Sequence, residues 1–123
     1  MEVEIEGLKV LSEMNLRDHW RVRHARFKVQ RMMVWGFLSV SPPVAIPCTV
    51  TLTRIGPRKL DSDNLAGGFK AVRDEVARWL KINDNHPDVV WAYQQVTSKE
   101  VKVGYPYGVR IKIESDANGF ADA

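Results

Sequence analysis

Cysteine occurs once in these 123 residues, as Cys48, so an internal disulfide is impossible and no Cys-x-x-Cys redox pair or cysteine zinc knuckle can form. Its flanks, Ile-Pro-Cys-Thr-Val-Thr-Leu, read as a strand, and a small buried residue is expected there. Long hydrophobic runs are also missing. The longest, Met32 to Val40, is broken by Gly36 and Ser39 and falls far short of the ~20 residues that span a bilayer, which excludes a transmembrane segment. The opening MEVEIEGLKV alternates acidic and apolar residues and lacks the basic start and apolar core of a secretory signal, so a cytoplasmic protein is expected. There are no internal repeats and no low-complexity tracts, which excludes solenoids and fibres.

What is present is an ordinary globular composition, 45% hydrophobic and 27% charged, in a chain of single-domain length. One domain over residues 1–115 is expected, followed by a flexible tail over 116–123 that is small and polar. Val3 and Ile5, alternating with Glu2, Glu4 and Glu6, predict an opening strand, with Leu8 and Val10 as possible continuations. From Asn15, a good N-cap, to about Met33 there is no Gly or Pro, which predicts a helix; Trp20, Phe27 and Val34 recur seven apart as its apolar stripe. Ser41-Pro42-Pro43 ends that helical stretch. Residues 46–55 alternate Cys48, Val50 and Leu52 against Thr49, Thr51 and Thr53 as a second strand, which Gly56-Pro57 breaks. Leu65, Phe69, Val72, Val76, Trp79 and Leu80 step by three and four, predicting one helix from Asn64 to Ile82. After a polar turn at Asn83 to Pro87, strands are expected at Val89 to Val96 and Tyr107 to Glu114. The fold class is therefore α+β: a small mixed sheet with two helices on one face, in the order βαβαββ.

Lysine and arginine exceed aspartate and glutamate by 18 − 15 = +3, a modest total that is unevenly spread. Arg17, Arg21, Arg23, Arg26, Lys28 and Arg31 share the first helical stretch with one acid, Asp18, which favours an anionic partner. DNA is expected rather than a membrane surface, because that helix shows no broad exposed apolar face in sequence. His19 and His24 lie on the same helix as phosphate contacts or packing residues. Trp20, Trp35, Trp79 and Trp91 are expected chiefly as core anchors, whereas Tyr105 and Tyr107 flank a proline in a loop.

The densest chemical signal is Arg58-Lys59-Leu60-Asp61-Ser62-Asp63-Asn64-Leu65. Asp61 and Asp63 stand at a strand-to-helix junction, and extended residues at i and i+2 project to one side, as two oxygen ligands for Mg²⁺ would. Asp84, in the turn after the helix, is the candidate third carboxylate, and His86 is two residues beyond it. Arg58, Lys59, Lys70 and Arg73 add cations, the last two on the expected exposed side of the helix. A second reading of the same residues stands beside this one: Asp63 as a helix N-cap, Asp61 in a solvated loop and Asn83 to Asp88 as a plain turn. Gly67-Gly68 inside the helix, at roughly 1 kcal/mol each against alanine, implies close approach of a neighbour or a substrate.

The run LDSDNLAGGFKAVRDEVARWLKINDNHPDVVWAYQQ resembles the RusA-like family of Holliday junction resolvases, known from phages and prophages, in three features. These are its Asp-x-Asp-Asn-Leu core, its later Lys70-Ala-x-x-Asp74 and its aspartate-bearing turn before a strand; the upstream NLRDHWRVRHARFKVQR is similar to the family's basic helical segment. The likeness covers most of residues 15–95. It implies a Mg²⁺-dependent endodeoxyribonuclease, with Mn²⁺ as a substitute, that acts as a homodimer and nicks two symmetry-related strands of a four-way, branched DNA junction. Asp61, Asp63 and Asp84 match the family's metal-binding acids and Lys70 its catalytic lysine. The chain departs from the pattern where Ala66-Gly67-Gly68-Phe69 separates Lys70 from the Asp-Asn-Leu core, and where Asn83 replaces a frequent second aspartate. Besides this reading stand a non-catalytic DNA-binding module, which would use only the basic helix, and an accessory phage protein that has kept the fold.

Overall fold

The computed structural model describes residues 1–12 and 20–116. It is an α+β domain with the elements β1 (Glu2–Glu6), α1 (Trp20–Leu38), β2 (Cys48–Gly56), α2 (Ser62–Gly68), α3 (Lys70–Leu80), β3 (Val89–Thr97) and β4 (Gly108–Ser115). The sheet order is β1-β4-β2-β3; β2 and β3 run parallel, and the other pairs are antiparallel. A parallel pair needs a long crossover, and α2 and α3 provide it.

Register fixes the two faces. Val3, Ile111, Leu52 and Tyr93 form one row across all four strands, and Ile5, Val109, Arg54 and Gln95 form the next. These rows face the helices and share one core with Val34 and Leu38 of α1, Leu65 of α2, and Val72, Val76 and Trp79 of α3. The opposite face pairs Thr51 with Lys112, Thr53 with Arg110, and Glu4 with Arg110. The alternation read in β2 is thus the alternation between core and open face, and Cys48 is fully buried.

Three expectations about the helices change. The expected two helices are three, in the order βαβααββ, because the second one breaks at Phe69, whose backbone (φ −87°, ψ 2°) leaves the helical basin. The Phe69 N–H donates to Ala66 O at 3.2 Å, a tighter turn than α. Gly68 allows the break to pack: a Cβ there would lie 2.5 Å from Leu11 O and 2.8 Å from Val10 Cγ1. The close neighbour implied by the paired glycines is therefore the segment after β1, at Gly68 alone, since Gly67 faces open space. Second, α1 continues past Met33 to Leu38, because Val34 and Leu38 bury the next two turns; its expected start at Asn15 lies outside the described residues. Third, its core stripe is Gln30, Val34 and Leu38, with Trp20 65% exposed. Of the four tryptophans only Trp79 is a buried core anchor. The expected tail from 117 onward lies outside the described residues.

Candidate metal and nucleic-acid site

Two polar residues on the core face of the sheet place the acidic pair. Arg54, 3% exposed, donates from Nε to Val10 O at 2.7 Å and from Nη1 to Arg58 O at 2.6 Å. Burial pushes its pKa down, so the cation is held there by carbonyls at an unfavourable depth. Beside it, Gln95 accepts from Leu60 N at 2.8 Å and donates to Leu60 O at 2.7 Å. Residues 58–60 are thereby pinned to the end of the core face, and α2 starts immediately after them. Asp61 occupies the N-cap with extended backbone (φ −62°, ψ 151°), and its main-chain carbonyl accepts from Leu65 N at 2.9 Å.

Its carboxylate makes no capping bond. The cap is at Asp61 rather than Asp63, and the side chain that would satisfy the first turn leaves it open. Asp63 lies exposed in that first turn, where a negative charge complements the helix dipole. Neither carboxylate is engaged by another described residue, and both are exposed. Asp61 is extended but Asp63 is already helical, so the expected projection of an extended i, i+2 pair to one side does not hold. The two carboxylates stand two residues apart at the helix start, both unengaged, and Mg²⁺ commonly takes one or two from a protein.

Asp84 belongs to a different set of contacts. Its Oδ2 lies 3.2 Å from Arg73 Nε, its main-chain carbonyl accepts from Arg73 Nη2 at 2.7 Å and from Trp91 Nε1 at 2.9 Å, and Arg73 Nη1 donates to the Tyr93 hydroxyl at 2.7 Å. The guanidinium also lies 4.7 Å over the Trp91 ring. The expected exposed position of Arg73 is thus corrected: its side chain is 27% exposed and ties α3 to β3 and to the Asp84 turn. Among the described residues no three His, Cys, Asp or Glu side chains gather as a metal-holding group. Lys70 is exposed at the start of α3, with Nζ 3.4 Å from Asp74. The His86 ring accepts the Asp88 N–H at Nδ1 and so stabilises the turn.

Of the basic residues, Arg58, Lys59, Arg21 and Lys28 are exposed, and Arg23 and Arg26 are half-buried; Arg17 and His19 lie outside the described residues. Lys59 Nζ contacts Glu100 at 3.3 Å, whereas Lys28 has no ion pair among the described residues. Sequence reasoning missed Glu75. It is 1% exposed, and its two oxygens accept from Arg31 Nε and Arg78 Nη1, each at 2.8 Å, which bolts α1 to α3. The signal was there to read, a carboxylate on the same helical step as Val72, Val76 and Trp79. Arg78 in turn lies 4.6 Å over Trp35. Between these helices runs a groove of about 370 Å³, lined by His24, Phe27, Lys28, Arg31, Trp35 and Asp74 among others. A second, shallower depression shares Arg31, Asp74 and Arg78 with it and reaches Asn83 and Asp84.

The expectation that α1 lacks an exposed apolar face is also corrected, since Val22, Val29, Met32 and Phe37 are 53%, 55%, 64% and 44% exposed. None of the helices among the described residues is long and apolar enough to cross a membrane. No family model matches the chain, and no curated protein matches it.

Proposed function

We propose that this chain is a Mg²⁺-dependent, structure-selective endodeoxyribonuclease of the RusA-like kind, cutting four-way DNA junctions as a homodimer. The observation that carries the reading is the pair Asp61 and Asp63, both unengaged, at a helix start that buried Arg54 and half-buried Gln95 pin in place. A cap or a solvated loop needs no such anchoring. Asp61 and Asp63 would hold Mg²⁺, which would supply positive charge at the scissile phosphate and lower the pKa of a bound water. Arg58 and Lys59, exposed just upstream, hold the phosphodiester against the repulsion of the acids. Lys70 gives up little to reach developing charge, because its exposed pair with Asp74 is worth only ~0.2–1 kcal/mol. Two symmetry-related cuts need two sites, and one chain has one Asp61/Asp63 pair.

A specific observation favours a second reading, the non-catalytic DNA-binding module: Asp84 is held by Arg73 and does not join a group of three acids among the described residues. A labelled four-way junction separates the two. Symmetrical nicks that require Mg²⁺ or Mn²⁺ support the nuclease, and a shifted band without nicks in either ion overturns it in favour of the binding module.

A further inference from the structure

The outer face of α1 carries a pattern that no other described residue covers. Val22, Ala25, Val29, Met32 and Gly36 are spaced three and four residues apart, as in a coiled-coil seam, and all five are exposed. Ser39, directly after the helix, continues the spacing and is exposed too. The core-facing stripe, Gln30, Val34 and Leu38, lies on the other side. At Gly36 a Cβ would meet nothing within 4 Å among the described residues, so the backbone there is open to close approach.

We infer that this seam pairs two copies of the chain, α1 against α1 in antiparallel orientation. The inference deepens the reading above, which requires two chains, by naming the surface that joins them. Two features select a second copy and this orientation. The seam is its own complement on reversal: Val22 and Ser39, Ala25 and Gly36, and Val29 and Met32 are equidistant from one midpoint. A two-fold axis through that point sets Val29 against the partner's Met32 and Ala25 against the partner's Gly36, small facing small where the backbones come closest. Charge gives the same orientation. All cations of α1 lie at or before Arg31, and no charged residue occurs between Arg31 and Arg54. A parallel pair stacks Arg21, Arg26 and Lys28 on their copies, whereas an antiparallel pair sets them against the uncharged half of the other helix. The isologous contact closes at two copies and leaves a cationic half-helix at each end.

The test uses the full chain without DNA or metal, so its failure is distinct from failure of the nuclease reading. Light scattering at micromolar concentration is expected to give about twice 14.0 kDa. The variant Val29→Glu/Met32→Glu is expected to halve that mass while keeping its circular dichroism, because both side chains are exposed. In the double variant Ala25→Cys/Gly36→Cys, the new thiols are ~16 Å apart along their own helix, so a disulfide between them forms only across copies. Oxidation is expected to yield a covalent dimer. Val22→Cys alone is expected to yield none, its two copies lying roughly 25 Å apart along an antiparallel pair. Cross-linking of Val22→Cys overturns the orientation. A monomeric mass for the parent chain, or a dimer that survives Val29→Glu/Met32→Glu, overturns the surface.

Discussion

The guanidinium of Arg54 occupies the volume that a side chain on Gly56 would need: Nη1 lies 2.5 Å from where that Cβ would stand. The two residues point to the same face of β2, and the glycine is what lets a buried cation turn back to the Arg58 carbonyl. Gly56→Ala displaces the guanidinium and leaves buried carbonyls unpaired. The expected loss is about 1–3 kcal/mol, read as a lower urea midpoint with unchanged m. Arg54→Met at the native Gly56 is expected to cost a similar amount, and the two losses are expected not to add. Additive losses would show that the residues do not share this volume.

Asp61→Asn and Asp63→Asn are each expected to abolish junction cleavage while leaving junction binding intact or tighter. Removing a carboxylate removes a metal ligand and also a charge that repels phosphate. Cleavage assays and band shifts on the same preparations measure both, and cleavage at the parental rate in either variant places the chemistry elsewhere.

Replacing Arg21, Arg26 and Lys28 with alanine is expected to weaken binding to junction and duplex alike. Each lost phosphate contact should lower the slope of log affinity against log salt by about one unit. A slope equal to the parent's assigns these cations to packing or solvent.

Glu75 is a buried carboxylate with two half-exposed cations, so the cost of disturbing it depends on which partner is removed. Arg31→Ala and Arg78→Ala each leave it one partner, whereas removing both leaves an uncompensated buried charge at a cost on the order of 3 kcal/mol or more. The double variant is therefore expected to lose more stability than the two single losses combined, and a double-mutant cycle reads the difference.

Acid should loosen the β1 edge. Glu4 accepts from Arg110 and from the Tyr105 hydroxyl, and these bonds, Arg110 first, hold its carboxyl below the ordinary value of 4.5. Burial and then Glu4 push the Tyr105 hydroxyl up to about 12. A carboxyl whose folded pKa is depressed stabilises fully above its unfolded value, and the contribution is lost as pH falls through the folded value. Glu4→Gln is expected to lower the urea midpoint at neutral pH, by ~0.2–1 kcal/mol for a half-exposed pair. It should also narrow the gap between the neutral and acid midpoints; a gap of parental size would mean that Glu4 contributes nothing.

Sequence alone determined the strands, the α+β class and the burial of Cys48. Each of these rests on period-two alternation, proline and glycine chemistry, or side-chain size, which act over a few residues. It also singled out Asp61 and Asp63, because a short spacing at a strand-to-helix junction is itself a local fact. Tertiary structure decided what depends on residues far apart in the chain. The sheet order puts β4 between β1 and β2, and Leu11 meets Gly68 where the helix breaks. Arg73 turns inward because Tyr93, Trp91 and Asp84 come to meet it, and Glu75 is tolerated in the core because Arg31 arrives from α1. In sequence α1 shows one apolar stripe, through Trp20, Phe27 and Val34, whereas packing chose Gln30, Val34 and Leu38 for the core and left Trp20, Val22, Val29 and Met32 outside. A period of 3.6 shows that a helix has an apolar side; which residues are buried is decided by the elements that arrive to cover them.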